Sequence, residues 1–303
     1  MRIGLIGLGR WGQNYLGALL NTPSVEFVHV AGRKEQRPDA QGFSNIKFTE
    51  NWLEVCHDTS LSGVIVATPP QTHYAIAKLA LERKIPVLVE KPLTLNLEHT
   101  HDLCKISQKS GVLCMVNYIH LFSAAYQDLK QNVSRSGRIR SVYSEGYSCG
   151  PYRKDISVLW DWGAHDLAMC IDLLNESPEV IEVSELVVEN KNPYAKLLML
   201  NLTFPSKIKS RSVFGNASEF KRRDLCVICD DGCFVYDALS LGLSKQFSTQ
   251  FFSYNSERFR VQQTPLELAI LEFLKHLTLG GHEHYTMQLA LKVNQILSKL
   301  ESF

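Results

Sequence analysis

The sequence predicts an α/β protein of two domains, in which an N-terminal doubly wound parallel sheet precedes a C-terminal α+β domain with a mostly antiparallel open sheet. Short, continuous apolar runs alternate with helical stretches over residues 1–119, as in a parallel sheet covered on both faces. A glycine-rich turn follows the first of these runs. From Glu179 to Asp237, strand-like segments follow one another directly. We therefore expect one domain over 1–119 and a second over 120–303.

Each element of the first domain follows from a local pattern. Helices are predicted over Gln71–Arg83, where Ile76, Leu79 and Ala80 share a face, and over Asn96–Lys109, which Gly111 ends. The predicted strands are Arg2–Ile6, Val25–Val30, Gly63–Ala67, Val87–Val89 and Val112–Val116.

The second domain has a different order of predicted helices and strands. Helices are expected over Leu121–Val133 and Asp161–Leu174, with a strand over Arg138–Tyr147 between them. Two further helices, about Pro265–Leu279 and Thr286–Leu300, finish the chain. Residues 240–263 have no clear period. Turns between the later strands are marked by Pro193, Pro205, Gly215 and Asp231-Gly232.

The composition favours a small-molecule substrate. The net charge is +1 over 303 residues, which gives no long-range field for nucleic acid or anionic membranes. We find no secretory signal and no apolar run of the ~20 residues that a membrane span needs. The eight cysteines are spread along the chain, so we expect a cytoplasmic protein with reduced thiols.

The run Gly7-Leu8-Gly9-Arg10-Trp11-Gly12 matches the dinucleotide pattern GxGxxG. The first glycine permits the tight turn after the strand, the second lets the backbone approach a pyrophosphate, and the third allows close packing of helix and strand. The phosphates then lie at the helix N-terminus. Because the run follows a predicted strand and opens a helix, we expect it, Arg10 and Trp11 included, to bind a nicotinamide dinucleotide in a Rossmann domain.

The end of the second strand favours NADP(H) over NAD(H). NAD-binding domains usually place an acidic residue about 20 residues after the glycines, on the ribose hydroxyls. Here the strand ends at Ala31-Gly32 and two cations follow, Arg33 and Lys34, which suit a 2′-phosphate. Glu35 stays open as an alternative ribose partner, so NAD(H) is retained as the second cofactor.

Three further segments resemble the glucose–fructose oxidoreductase/inositol dehydrogenase (Gfo/Idh/MocA) family. They are Ala67–His73, similar to its ATPP-x-x-H turn, Val89-Glu90-Lys91-Pro92, similar to its EKP signature, and Asp161–Asp166, similar to its D-x-G-x-H signature. They occur in the family's order, so the resemblance covers nearly the whole chain. It implies an NAD(P)-dependent oxidoreductase that transfers a hydride between a nicotinamide and a sugar-like, nucleotide-linked or cyclic polyol or ketone substrate.

The resemblance also implies a catalytic trio of Lys91, Asp161 and His165. An imidazole titrates near neutral pH, so His165 is the preferred proton carrier. Asp161 lies four residues earlier on the same helix face and either orients the imidazole or holds a substrate hydroxyl. Lys91 either stabilises charge on the reacting oxygen or acts as the base.

Other residues of the matching segments are expected to line the site. Thr68, Pro69 and Glu90 join the cofactor-binding set, and His73 either caps its helix or lines the nicotinamide pocket. Arg153 is a candidate for a substrate carboxylate or phosphate. His120 stands where many relatives carry Arg, which leaves the substrate open. The expected substrate-binding residues are Tyr118, His120, Tyr152, Arg153 and Trp162.

Several alternatives remain at this stage. A catalytically silent regulator of the same fold, and an enzyme that eliminates or hydrolyses with a retained cofactor, are the competing functions. A homodimer or homotetramer is expected by analogy. We predict no metal site, because Cys226, Cys229 and Cys233 fit a hairpin better than a zinc pattern. Lys221–Arg223 is interpreted as a solvent-exposed run, and His282 with His284 as part of a surface loop.

Overall fold

The computed structural model describes residues 1–38, 45–189, 192–240, 243–247, 254–258, 263–280 and 285–301. The chain divides into two compact units. Unit 1 consists of Met1–Tyr118 and Leu266–Asn294, and unit 2 of Ile119–Pro265 and Gln295–Phe303. In the part of the chain that is described, no helix combines the length and apolar character needed to cross a membrane.

Unit 1 is built on a parallel sheet of six strands. They are β1 (Arg2–Ile6), β2 (Phe27–Ala31), β3 (Ile46–Thr49), β4 (Gly63–Val66), β5 (Val87–Glu90) and β6 (Cys114–Asn117). Their order is β3-β2-β1-β4-β5-β6, which confirms the doubly wound prediction. All residues of β4, β5 and β6 are buried, as the continuous apolar runs indicate. The topology reverses between β1 and β4, where such sheets bind ligands beyond the strand ends.

Four helices of unit 1 connect these strands, namely α1 (Arg10–Leu20), α2 (Trp52–His57), α3 (His73–Glu82) and α4 (Leu97–Ser110). Asn96 begins α4 as its N-cap, where its side chain accepts a hydrogen bond of 3.1 Å from the His99 amide. Gly111 ends α4 in the left-handed conformation, as predicted. The sequence analysis did not predict β3 or α2.

Unit 2 contains an eight-stranded sheet. Its strands are β7 (Ile139–Cys149), β8 (Val180–Leu186), β9 (Leu197–Thr203), β10 (Lys209–Gly215), β11 (Ala217–Cys229), β12 (Cys233–Asp237), β13 (Leu243–Phe247) and β14 (Tyr254–Arg258). The order is β14-β13-β12-β11-β7-β10-β9-β8. Only β7 and β10 pair in parallel among these strands, so the prediction of a mostly antiparallel sheet is confirmed. β13 and β14 lie within residues 240–263, where the sequence shows no clear hydrophobic periodicity.

Two helices of unit 2, α5 (Ala124–Ser134) and α6 (Ala164–Leu174), are held together by a buried carboxylate. Asp172 on α6 accepts a hydrogen bond of 2.6 Å from the Tyr126 hydroxyl and lies 2.8 Å from the Lys130 ammonium. On β11, buried residues alternate with half-exposed ones from Arg223 to Cys229. One face of this strand therefore belongs to the core and the other is more open.

The C-terminal helices, α7 (Pro265–Leu279) and α8 (Tyr285–Lys299), belong largely to unit 1, whereas the sequence analysis placed all of 120–303 in the second domain. Two contacts explain the difference. The Thr286 hydroxyl accepts a hydrogen bond of 3.0 Å from the Val116 amide of β6, and the Asn294 side chain donates to the Thr94 carbonyl at 3.0 Å.

Candidate functional site

The glycine turn of unit 1 joins β1 to α1. Gly7 has a φ of +99°, and a Cβ there would lie 2.6 Å from the Ala67 carbonyl oxygen. A Cβ on Gly12 would lie 2.0 Å from the Gly7 carbonyl oxygen, so both positions require glycine. A Cβ on Gly9 would meet no atom of the described chain within 4 Å. The protein's own packing therefore does not require Gly9, whereas a ligand lying against the backbone would.

A cavity of about 910 Å³ opens beside this turn, at the carboxyl ends of β1, β2 and β4. Its size suits a nucleotide, and the open Gly9 position and the N-terminus of α1 suit the phosphates. The residues present thus fit a dinucleotide. The predicted residues that line the cavity are Gly7, Gly9, Arg33, Lys34, Thr68 and Pro69. The predicted residues Arg10, Trp11, Gly12, His73, Glu90 and Lys91 are absent from its described lining.

The end of β2 forms one wall of the cavity. A Cβ on Gly32 would lie 2.9 Å from the Leu8 side chain, so a small residue is needed here. The Arg33 side chain is 75% exposed, and its Nε lies 3.5 Å from a Glu35 carboxylate oxygen. Arg33 and Glu35, which the sequence analysis left as alternative partners of the ribose, therefore both line this wall of the cavity. At this exposure their ion pair is weak, and a bound phosphate can replace it.

His73 is buried and is absent from the described lining of the cavity. It is 1% exposed, with Nδ1 at 2.9 Å from the Pro92 carbonyl oxygen and Nε2 at 2.8 Å from the Thr68 carbonyl oxygen. The ring thus connects the turn after β4 to the turn after β5, where the Lys91-Pro92 peptide is cis. His73 holds the backbone beside Thr68 and Lys91 in place, which is a role that the sequence analysis did not weigh.

Glu90, at the end of β5, is the centre of a buried hydrogen-bond cluster. One of its oxygens, Oε1, accepts from Trp11 Nε1 at 2.6 Å, from the Tyr15 hydroxyl at 2.7 Å and from Asn117 Nδ2 at 2.7 Å. Burial raises the pKa of Glu90, although the three donors oppose that shift. The cluster ties α1 to β5 and β6, so these contacts of Glu90 and Trp11 are with the protein itself.

Glu90→Gln is expected to change how stability depends on pH. Because the pKa of Glu90 is raised in the folded state, the native protein binds this proton more tightly than the unfolded chain. Its contribution to the free energy of unfolding therefore falls as pH rises above the ordinary Glu pKa of about 4.3. The Tm of Glu90→Gln minus that of the wild type should increase from acid to neutral pH in thermal melts. A difference that decreases over this range would contradict the assignment.

The segment Leu159–Gly163 of unit 2 forms a π-helical turn directly before α6. Asp161 lies in this turn and His165 in the first turn of α6. A Cβ on Gly163 would lie 2.8 Å from the Phe214 ring, so this glycine lets β10 pack against the turn. Such π turns occur frequently at functional sites.

Arg153 is already engaged by carboxylates. Its guanidinium donates to Asp155 at 3.0 and 2.5 Å and to Asp161 Oδ1 at 3.4 Å. The Arg153 guanidinium lowers the pKa of Asp155. Arg153 therefore orients Asp161, which is a second role beside the predicted binding of an anionic substrate group. Tyr152 is half-exposed nearby, with its hydroxyl 3.6 Å from Cys149 Sγ.

His165 lies next to His120 within unit 2. The two rings meet edge to face with centroids 4.9 Å apart, and His120 Nδ1 is 3.0 Å from the Tyr236 hydroxyl. The structure thus brings together two predicted site residues and adds Tyr236, which the sequence analysis missed. Tyr118, by contrast, is 1% exposed, and burial raises its pKa. Of the predicted substrate-binding residues, it is the least accessible.

Arg223 was interpreted as solvent-exposed, and that interpretation is wrong. It is 9% exposed, and its Nη1 lies 2.9 Å from Asp166 Oδ2, a fully buried carboxylate whose pKa burial raises. Its guanidinium also lies 5.7 Å from the centre of the Trp162 ring. Gly146 on β7 makes this possible, because a Cβ there would lie 2.2 Å from Arg223 Nη1. The alternation of apolar residues along β11 could have predicted that Arg223 is buried, because Arg223 shares a face of the strand with Leu225 and Val227.

The cysteines of the β11–β12 hairpin are free thiols. Cys226 and Cys233 have their Sγ atoms 3.2 Å apart on the more open face of the sheet. Within the described ranges, no group of three or more His, Cys, Asp or Glu side chains has a geometry that suits a metal ion. His282 and His284 lie outside the described residues.

Comparison with known proteins agrees with the resemblance. Residues 1–118 match the model of the Gfo/Idh/MocA oxidoreductase family, described as an NAD-binding Rossmann fold. A scyllo-inositol 2-dehydrogenase (NAD(+)) from Bacillus subtilis strain 168 is 31% identical over 153 residues, which are 49% of this chain and 44% of that enzyme. The chain thus spans less than half the length of this relative.

Two similarities extend over nearly the whole chain. A 4-carboxy-2-hydroxymuconate-6-semialdehyde dehydrogenase from Sphingobium sp. strain NBRC 103272 / SYK-6 is 23% identical over 99% of this chain and 98% of its own. A structure from Magnetospirillum magnetotacticum MS-1, described as that of an oxidoreductase, has a TM-score of 0.85 and 28% identity and covers 98% of each chain. Both similarities extend beyond residues 1–118, to one protein named as a dehydrogenase and one structure described as an oxidoreductase.

Proposed function

Since residues 1–118 carry the NAD-binding Rossmann fold of the Gfo/Idh/MocA oxidoreductase family, we propose that this protein interconverts an alcohol and a ketone on a sugar-like or cyclic polyol substrate. NADP(H) is the preferred cofactor and NAD(H) the second. The geometry of the glycine turn and its cavity gives this proposal its strongest support. The glycine turn leaves Gly9 open beside a cavity of about 910 Å³ whose wall carries Arg33 and Lys34.

The proposed cofactor contacts follow from this cavity. The Gly7–Gly12 turn and the N-terminus of α1 receive the pyrophosphate, and Arg33 with Lys34 receives a 2′-phosphate. Thr68 and Pro69 line the cavity on the side of β4. When bound, the nicotinamide supplies the hydride or accepts it. The Bacillus relative is named for NAD(+), so the proposed NADP(H) preference depends on the two cations alone.

The proposed acid–base chemistry belongs to three side chains. His165 takes the proton from the substrate hydroxyl during oxidation and returns it during reduction. Asp161, held by Arg153, orients either the imidazole or a neighbouring substrate hydroxyl. Lys91 donates a hydrogen bond to the reacting oxygen and stabilises the charge that develops there. Trp162, Tyr152 and His120 are the proposed substrate contacts.

Turnover provides the test of this proposal. The purified protein is mixed with NADPH and a panel of ketosugars and cyclic ketones, and the loss of NADPH absorbance is followed. We expect oxidation with at least one sugar-like ketone. Binding of the cofactor without turnover on any panel member would instead favour a regulatory protein of this fold.

Arg33→Ala is expected to weaken NADPH binding selectively. Loss of one charge-assisted contact to the 2′-phosphate should raise the Kd for NADPH about tenfold, or ~1.4 kcal/mol, and leave the Kd for NADH within about twofold. Calorimetric titration with each cofactor measures both values. Arg135→Ala, which removes an exposed cation of unit 2, is the control. Equal weakening of both cofactors would refute the assignment of Arg33.

A further inference from the structure

Tyr236 contacts His120 from a buried position on β12. Tyr236 is 1% exposed, and burial raises its pKa to about 12, so its phenol keeps its proton near neutral pH. The proton of Tyr236 is therefore available to His120 Nδ1, which lies 3.0 Å away.

We propose that Tyr236 is a positioning residue for the proton chemistry of His165. It donates a hydrogen bond to His120 Nδ1 and so keeps His120 neutral, with its proton on Nε2, beside the His165 ring. The inference rests on the proposed function, in which His165 carries the proton. The three side chains come from different parts of unit 2, since His120 precedes α5, His165 lies on α6 and Tyr236 lies on β12.

The spacing of the two imidazoles explains why a neutral His120 matters. Their centroids are 4.9 Å apart, so two protonated rings would repel each other strongly. With His120 held neutral, His165 takes up a substrate proton without facing a second cation. The charged groups that act on Tyr236 are Arg223, which is paired with Asp166, and Asp237.

Tyr236→Phe removes the hydroxyl and keeps the ring, which packs edge to face on Tyr126 at 5.7 Å between centroids. We expect kcat to fall about tenfold, because the acid–base step loses part of a contribution of roughly 10²–10⁴. KM and the Kd for NADPH should stay within about twofold, because neither binding step uses the hydroxyl. Tyr143→Phe, which removes a hydroxyl from an exposed tyrosine of β7, is the matched control and should leave kcat unchanged.

Nitrogen-15 NMR of the histidine side chains provides a readout that does not depend on turnover. In the full-length wild type at neutral pH, we expect His120, assigned by the loss of its signals in His120→Gln, to be the neutral Nε2–H tautomer. In Tyr236→Phe, the His120 nitrogens should move toward the averaged or protonated pattern. Unchanged His120 signals, or an unchanged kcat in an active enzyme, would overturn the inference. A wild type without dehydrogenase activity would refute the proposed function, and the NMR comparison would still decide the Tyr236–His120 contact.

Discussion

His165→Asn is expected to lower kcat by roughly 10²–10⁴-fold, because it removes the group that exchanges a proton with the substrate oxygen. His165 lies on α6 and is absent from the described lining of the dinucleotide cavity. The Kd for NADPH should therefore stay within about twofold of the wild-type value. Steady-state kinetics with the best ketone substrate, combined with an NADPH titration, measures both quantities.

His57→Asn is the matched control, since His57 is exposed at the end of α2. It should keep both kcat and cofactor affinity. If His165→Asn retained wild-type kcat, the assignment of the proton carrier would be wrong, and Lys91 would become the leading candidate for the base.

Gly9→Ala is expected to remove most dinucleotide affinity without unfolding the protein. A Cβ at this position meets no atom of the described protein within 4 Å, so the cost in stability should stay within ~1 kcal/mol. A pyrophosphate that approaches the backbone here would meet the new methyl group, and the Kd for NADPH should rise at least tenfold, or about 1.4 kcal/mol. Thermal melts and cofactor titration separate the two effects.

Two neighbouring glycines provide the controls. A Cβ on Gly17, within α1, also meets nothing within 4 Å, so Gly17→Ala should keep affinity and stabilise the helix by up to about 1 kcal/mol. A Cβ on Gly12 would lie 2.0 Å from the Gly7 carbonyl oxygen, so Gly12→Ala should lower Tm as well as affinity. Unchanged affinity in Gly9→Ala would mean that the turn does not hold the phosphates.

The first unit was largely predictable because its signals are local. Apolar strands buried on both faces, the glycine turn and the end of α4 at Gly111 each depend on a few adjacent residues. β3 and α2 were missed because their strand and helix patterns are short. The assignment of Leu266–Asn294 to unit 1 depends on contacts such as Thr286 with β6, and no local pattern reports them.

The site of unit 2 was less predictable because strand pairing creates it. Arg223 is buried only because β11 pairs with β7, where Gly146 leaves room for the guanidinium. Tyr236 reaches His120 from β12, more than a hundred residues away in the sequence. The roles of Lys91, Asp161 and His165, the NADP(H) preference and the homo-oligomer stay predictions.

Equilibrium titration of the purified protein with NADPH and with NADH, followed by the fluorescence of the protein, tests the central claim most directly. We predict saturable binding of one dinucleotide per chain, with NADPH bound more tightly than NADH and with the preference lost in Arg33→Ala. Absence of saturable binding for both cofactors in a folded sample would contradict the account.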